Sequence, residues 1–142
     1  AVFILIGIND LFNIYYQHQI PSAEYVADNV VRIADVIHEK SSGTAIFVQT
    51  LLPTSEDSLK ENINIVNNLL KTYQAQKSFQ VIDLYKSFVN EKGLLKEELT
   101  YDGVHLNDSG YAIWVEIAKP FLMSSHWILV RIFSYFSNTE IV

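Results

Sequence analysis

Three short runs of apolar, largely β-branched residues, separated by longer stretches of helical periodicity, restrict this chain to one kind of architecture. Residues 2–6 are continuously apolar and stop at Gly7, as a strand buried on both faces reads. Residues 45–49 form a second such run, and residues 79–84 a third, broken at Asp83. Between the first two, residues 8–19 read as a loop carrying Phe12, Tyr15 and Tyr16, and Pro21-Ser22 then opens a helix with Ser22 as its N-cap. Val26, Val30, Ile33, Ala34 and Ile37 make one stripe along it, and Ser41-Ser42-Gly43 ends it. A second helix, from about residue 59 to 75, places Ile63, Val66, Leu69 and Leu70 on one face. Residues 86–101 read as a short helix with an irregular stretch, and residues 107–122 as a last helix with Tyr111, Val115, Ala118 and Leu122 on its stripe. Strands alternating with helices predict parallel pairing and a three-layer α/β/α sheet.

Composition removes several classes of function. With 142 residues, one domain with a real core is expected. A net charge of −6 argues against nucleic acid or an anionic membrane surface as the main partner. The absence of cysteine excludes disulfides, thiol nucleophiles and thiolate metal sites, and leaves the compartment open. His18, His38 and His126 have no ligand-like spacing to acidic residues, so neither a metal nor another cofactor is expected. Lys71 and Lys77 read as a solvated helix face. Tyr15 and Tyr16 suit covering the core better than lining a pocket.

Residues 124–142 differ from the rest, with Trp127, Ile128, Leu129, Val130, Ile132, Phe133, Tyr135 and Phe136 and neither glycine nor proline. They could form a further element covering the sheet. The composition favours a non-native or poorly ordered tail instead. A stable membrane anchor is not expected, because Arg131 and Ser134 interrupt a run already shorter than a span needs. The expected division is therefore a domain over residues 1–123 and a tail over 124–142. Because the first residue is Ala rather than Met and stands inside a strand, a preceding segment is also expected.

In open parallel sheets, functional groups gather beyond the carboxyl ends of the strands. Gly7-Ile8-Asn9-Asp10, Thr50-Leu51-Leu52-Pro53 and Tyr101-Asp102-Gly103-Val104-His105 all fall there. A spacing of three puts Asp102 and His105 on one side of a helical turn, where the carboxylate can accept from one imidazole nitrogen and leave the other as a free base. The plain alternative is a capping Asp beside a surface His. Asn9, in a tight turn at a strand end, can offer its amide N–H to developing negative charge. Its plain alternative is an Asx-turn closed by Asn9 or Asp10.

As a set, these segments resemble the SGNH (GDSL) hydrolases. Gly7-Ile8-Asn9-Asp10 is similar to that family's Gly-x-Asn-Asp block, and Asp102-Gly103-Val104-His105-Leu106 to its Asp-x-x-His block, across roughly a hundred residues of strand and helix units. Residues 50–53 resemble a strand-end segment of the family, and Asn107 to Tyr111 with Trp114 the start of its last helix. The Leu-Leu-Pro and Asp-Gly-Val-His-Leu-Asn stretches resemble most the sugar O-acetylesterase and platelet-activating-factor acetylhydrolase-like branch. The resemblance implies a flavodoxin-like α/β/α esterase using an acyl-enzyme, a small-molecule acyl ester as substrate and no cofactor. His105 would be the base, Asp102 its orienter, and Asn9 with Gly7 the oxyanion and substrate-binding residues.

The family's Gly-Asp-Ser block, with its nucleophile, and the block that follows it have no counterpart in the sequence. Ser22, Ser41, Ser42 and Ser109 read as caps and loop residues. The nucleophile strand and its neighbour are therefore expected to be missing, and the chain alone to be nearly inactive. Two other functions remain open: a non-catalytic α/β module that binds a ligand or partner, and a complete small hydrolase with an unrecognised serine. A first strand left without one neighbour predicts poor solubility or dimerisation through that edge. Light scattering with an unfolding curve checks this; a monomer with one sharp transition contradicts it.

Overall fold

The computed structural model describes residues 1–12 and 21–136, with residues 124–136 as backbone alone. Three parallel strands form a sheet: β1 (Val2–Ile4), β2 (Ile46–Gln49) and β3 (Gln80–Ile82), in that order across it. Val2 pairs with Ile46 and Ile4 with Val48, while Phe47 pairs with Gln80 and Gln49 with Ile82. β2 is buried at every position because it has a strand on each side and a layer on each face. β1 is shorter than the apolar run suggested. Leu5 and Ile6 have left the ladder and are exposed.

Side-chain alternation divides the core in two. Ile4, Ile46 and Val48 face α2 (Ala23–Lys40) and α3 (Lys60–Tyr73), meeting Val30, Val31, Ile63, Val66 and Leu70. Phe47 and Ile82 face the other way, toward Leu84, Phe88, Leu99 and Leu106, with Trp114, Ile117 and Phe121 packed over them. Phe47 is the hinge of this second layer, 4.9 Å from the Phe3 ring and 5.5 Å edge-on from Phe121. Helices therefore cover both faces of the sheet, in the expected α/β/α order.

Local signals act as the sequence reading expected for α2. Ser22 Oγ accepts the Tyr25 N–H at 3.2 Å, and the helix stops at Ser41. Its buried stripe includes Val31, whereas Ile33 is exposed, so the stripe is centred one position away from the one expected. Residues 8–12, expected as loop, are the short helix α1 (Ile8–Phe12), with Leu11 buried. Tyr15, Tyr16 and His18 lie outside the described residues.

Beyond the third strand, α4 (Tyr85–Phe88) and a 3-10 turn at Glu97–Leu99 account for the irregular stretch. The last helix, α5, runs from Asp108 to Phe136, beyond the expected end, and passes through Pro120. Of the expected stripe on α5 only Ala118 is buried. Tyr111, Val115 and Leu122 are exposed, and Gly110, Ile113, Trp114, Ile117 and Phe121 turn to the sheet instead. Both sets have helical spacing, so periodicity alone could not choose between them. Asn107 decides, because it starts the helix with Oδ1 on the Gly110 N–H at 3.0 Å. Gly110 then faces Leu99, where an added Cβ would lie 2.5 Å from the Leu99 carbonyl oxygen.

Lys71 and Lys77, expected to be merely solvated, pair with Asp83 at 3.0 Å and with Asp35 at 2.8 Å. Both pairs are part-exposed and add little stability. Among the described residues no helix is long and apolar enough to cross a membrane.

One buried polar residue has a larger part. Asn67 interrupts the apolar face of α3, where its Oδ1 accepts the Leu51 N–H at 2.7 Å and its Nδ2 donates to the Leu51 carbonyl at 3.0 Å. Replacing Asn67 by Ala leaves both backbone groups buried without partners. A loss of about 2–3 kcal/mol is expected in urea unfolding; a loss under about 0.5 kcal/mol, within the range of an ordinary surface change, contradicts the role.

Candidate active site

All three strand-end segments converge on one cavity of about 320 Å3. Asn9 comes from the β1 exit, Leu52 and Pro53 from the β2 exit, and His105 from the loop before α5. Tyr111 and Trp114 of α5 complete the wall. Trp114 is fixed there by its indole N–H, which donates to the buried Gln49 Oε1 at 2.7 Å.

At the β1 exit, Gly7 has a left-handed backbone (φ +115°) and lies against α2. A Cβ at Gly7 would meet Val26 Cγ1 at 2.7 Å, so a side chain there would push α1 and Asn9 away from the sheet. The chain then enters α1 directly. The side chains of Asn9 and Asp10 make no hydrogen bond among the described residues, so no Asx-turn forms, and the Asn9 amide remains available at the cavity.

The exit of β2 is held from several sides. The Thr50 N–H donates to Ile82, and its Oγ1 accepts the Leu84 and Tyr85 N–H groups at 2.9 and 3.0 Å. Asn67 clamps Leu51, as described above. The Thr54 carbonyl takes the Leu95 N–H, and the Ser55 N–H donates to the Gly103 carbonyl at 2.8 Å. This last bond fastens the loop that bears Asp102 and His105.

That loop is not the helical turn expected from the spacing; residues 101–105 are a chain of bends. Gly103 takes a left-handed backbone (φ +85°) and packs on Ser55, where a Cβ would fall 2.6 Å from the serine side chain. With the chain reversed there, Asp102 Oδ1 accepts the N–H of Val104 at 2.9 Å and of His105 at 2.8 Å. Oδ2 meets the ring nitrogen Nδ1 of His105 at 2.7 Å. The pairing inferred from sequence is present, and its cause is an Asx-type loop rather than helical geometry.

The hydrogen bond from the His105 ring, followed by the two backbone N–H groups, holds the Asp102 carboxyl well below the usual carboxylate range. An ionised carboxylate only accepts, so Nδ1 must carry the proton in the neutral ring and Nε2 is the free lone pair. Among the described residues Nε2 has no hydrogen-bond partner. Asp102 and His105 side chains are 52% and 79% exposed, so the pair is reachable from solvent. Among the described residues no serine lines the cavity. Ser55 packs against Gly103 instead.

Sequence reasoning singled out Gly7, Asn9, Asp102 and His105, and the structure brings Asn9 and His105 to one cavity with Gly7 and Asp102 directly behind them. It missed Asn67, Gln49 and Thr100. A lone Asn on an otherwise apolar helix stripe was the available signal for the first, and a Thr two residues before an Asp-Gly pair for the last.

Comparison with known proteins places the chain in a family. Residues 1–113 match the model of the GDSL-like lipase/acylhydrolase family, and the chain belongs to that family. The platelet-activating factor acetylhydrolase IB subunit alpha2 of Rattus norvegicus is 31% identical over 102 residues, which are 70% of this chain and 43% of the relative. The Mus musculus protein of the same name matches to the same extent. The chain thus spans less than half the length of the curated relatives it matches. A solved GDSL-like lipase from Bacteroides thetaiotaomicron superposes with a TM-score of 0.73 at 21% identity, covering 87% of this chain and 62% of its own. A Bacteroides fragilis protein assigned as an acylhydrolase gives 0.72 at 20% identity, over 87% and 61%. These two likenesses bear on the fold.

Because the carboxyl pKa is lowered on folding, its contribution to holding the loop is present above the unfolded value of 3.8 and is lost as pH falls through the lower folded value. Carboxyl-carbon NMR of Asp102 should therefore show no midpoint at 3.8. A titration centred there means that the ring and backbone bonds do not hold in solution.

Proposed function

We propose that this chain carries the base and oxyanion half of a serine ester hydrolase. The carrying observation is the ionised Asp102 locked on His105 Nδ1 at 2.7 Å, beside a cavity that also holds Asn9. The nucleophile in this reading belongs to a Gly-Asp-Ser segment outside residues 1–142. Serine Oγ attacks the ester carbonyl carbon while His105 Nε2 takes its proton. Asn9, with the backbone around Gly7, stabilises the tetrahedral oxyanion. The C–O bond to the alcohol then breaks, and the imidazolium returns its proton to the leaving oxygen. Water, deprotonated by His105, releases the acid and restores the serine. Asp102 stays ionised throughout and keeps the ring in one tautomer.

Among the described residues the cavity offers Leu52, Pro53, Val104 and Trp114 and no acidic or lysine side chain, which suits a short uncharged acyl ester. An acetyl group is in keeping with the acetylhydrolase relatives, and an acetylated carbohydrate is the specific substrate proposed. For residues 1–142 by themselves, the sheet edge at β1, with exposed Leu5 and Ile6 beside it, is proposed as the surface for dimerisation.

The test uses the protein as its gene encodes it, with a fluorophosphonate probe and p-nitrophenyl acetate. A labelled serine in a Gly-Asp-Ser setting is expected, with labelling lost in His105→Ala. Asp102→Asn should lower kcat by about 10⁴-fold, and Asn9→Ala by about 10²–10³-fold. No labelled serine at all favours the binding-module reading, which rests on the absence of serine from the described cavity wall. A labelled serine within residues 1–142 assigns the nucleophile to this chain instead.

A further inference from the structure

The geometry points to Thr100 as the residue that positions the Asp102–His105 pair, an inference that rests on the hydrolytic reading of that pair. Thr100 does not line the cavity, so its action on the chemistry runs through the loop. Its Oγ1 donates to the His105 carbonyl at 2.6 Å and accepts the N–H of Gly103 at 2.9 Å and of Asp102 at 3.3 Å. A hydroxyl has one proton and two lone pairs, and all three are committed here. They engage the beginning, middle and end of residues 102–105.

The loop needs such a hub because the packing of Gly103 on Ser55 holds its middle but neither member of the pair. Both members of the pair are largely exposed, and Gly103 between them has a left-handed backbone that needs fixed partners to stay in place. Asp102 supplies one set of restraints, through its carboxylate on the Val104 and His105 N–H groups. Thr100 supplies the opposite set: it fixes the two N–H groups that Asp102 leaves unused and the carbonyl of His105. Around both, the Thr100–Leu106 bridge and the Asn107 N–H bond to Leu99 close the base of the loop. The β-branched side chain of Thr100 restricts its own χ1, so the hydroxyl is already aimed when the loop closes.

Imidazole nitrogen NMR of the chain, with Thr100→Val and Thr100→Ser, tests the role. In the parent, Nδ1 carries the proton and Nε2 is bare. Thr100→Val should mix the two tautomers and speed exchange of the Nδ1 proton by roughly tenfold, the scale of one or two lost hydrogen bonds. Thr100→Ser should restore the parent pattern. In the protein as its gene encodes it, Thr100→Val should lower kcat while leaving KM nearly unchanged. A Thr100→Val spectrum identical to the parent overturns the inference, and so does a Thr100→Ser variant as disturbed as Thr100→Val. Should Thr100→Val not fold, the parent decides: a slowly exchanging Thr100 hydroxyl proton and a protected Gly103 N–H are expected, and rapid exchange of both is fatal. Failure of the hydrolytic reading has a separate signature, the lack of any labelled serine, and leaves the ring spectrum as it is.

Discussion

Residues 50–55 leave the sheet while their backbone is still largely buried, and the partners they find there hold the rest of the structure together. Thr50 reaches β3 and the turn after it, Leu51 is clamped by Asn67 of α3, Thr54 takes the Leu95 N–H, and Ser55 holds Gly103. A single segment therefore joins the α3 layer, the central strands, the irregular stretch before α5 and the loop of the Asp–His pair. An unpaired buried N–H or C=O costs on the order of 1–3 kcal/mol, so these contacts allow little choice of path. The cavity lies where it does because this path is fixed.

The pair itself is held differently. Asp102 and His105 are exposed, and their contact adds little to stability in water. Its value is orientation: an acceptor-only carboxylate selects one tautomer and leaves Nε2 as the base. Gly103 makes the loop possible, and the hydrogen bonds of Asp102 and Thr100 make it specific. Rigid support from below and a solvent-facing base above are what a hydrolytic site requires, since the base must meet a substrate proton.

Much of this was legible in the residues. Apolar runs ending at Gly7 and Gln49 gave the strands, Ser22 marked the start of α2, and the Gly-x-Asn-Asp and Asp-x-x-His blocks supplied Asn9 and His105, which line one cavity. What was lost has physical causes. The stripe on α5 was misread except at Ala118 because Tyr111, Val115 and Leu122 have helical spacing like the buried set, and the Asn107 cap with the packing of Gly110 on Leu99 distinguishes them. Val2 and Ile4 look no different in sequence from Leu5 and Ile6, yet pairing to β2 stops at Ile4. The helical-turn geometry assumed for Asp102 and His105 failed because Gly103 adopts a positive φ, which spacing cannot show. The part played by Asn67 and Thr100 depends on which backbone groups are left unpaired, and that is known only once the chain is folded.

The most direct measurement is a crystal structure of the protein as its gene encodes it after reaction with a fluorophosphonate. The account predicts an adduct on a serine whose phosphoryl oxygen lies about 3 Å from the Asn9 amide, with His105 Nε2 beside the serine oxygen and Nδ1 still on Asp102. An adduct formed away from this cavity, or one with Asn9 and His105 turned from it, would contradict the account.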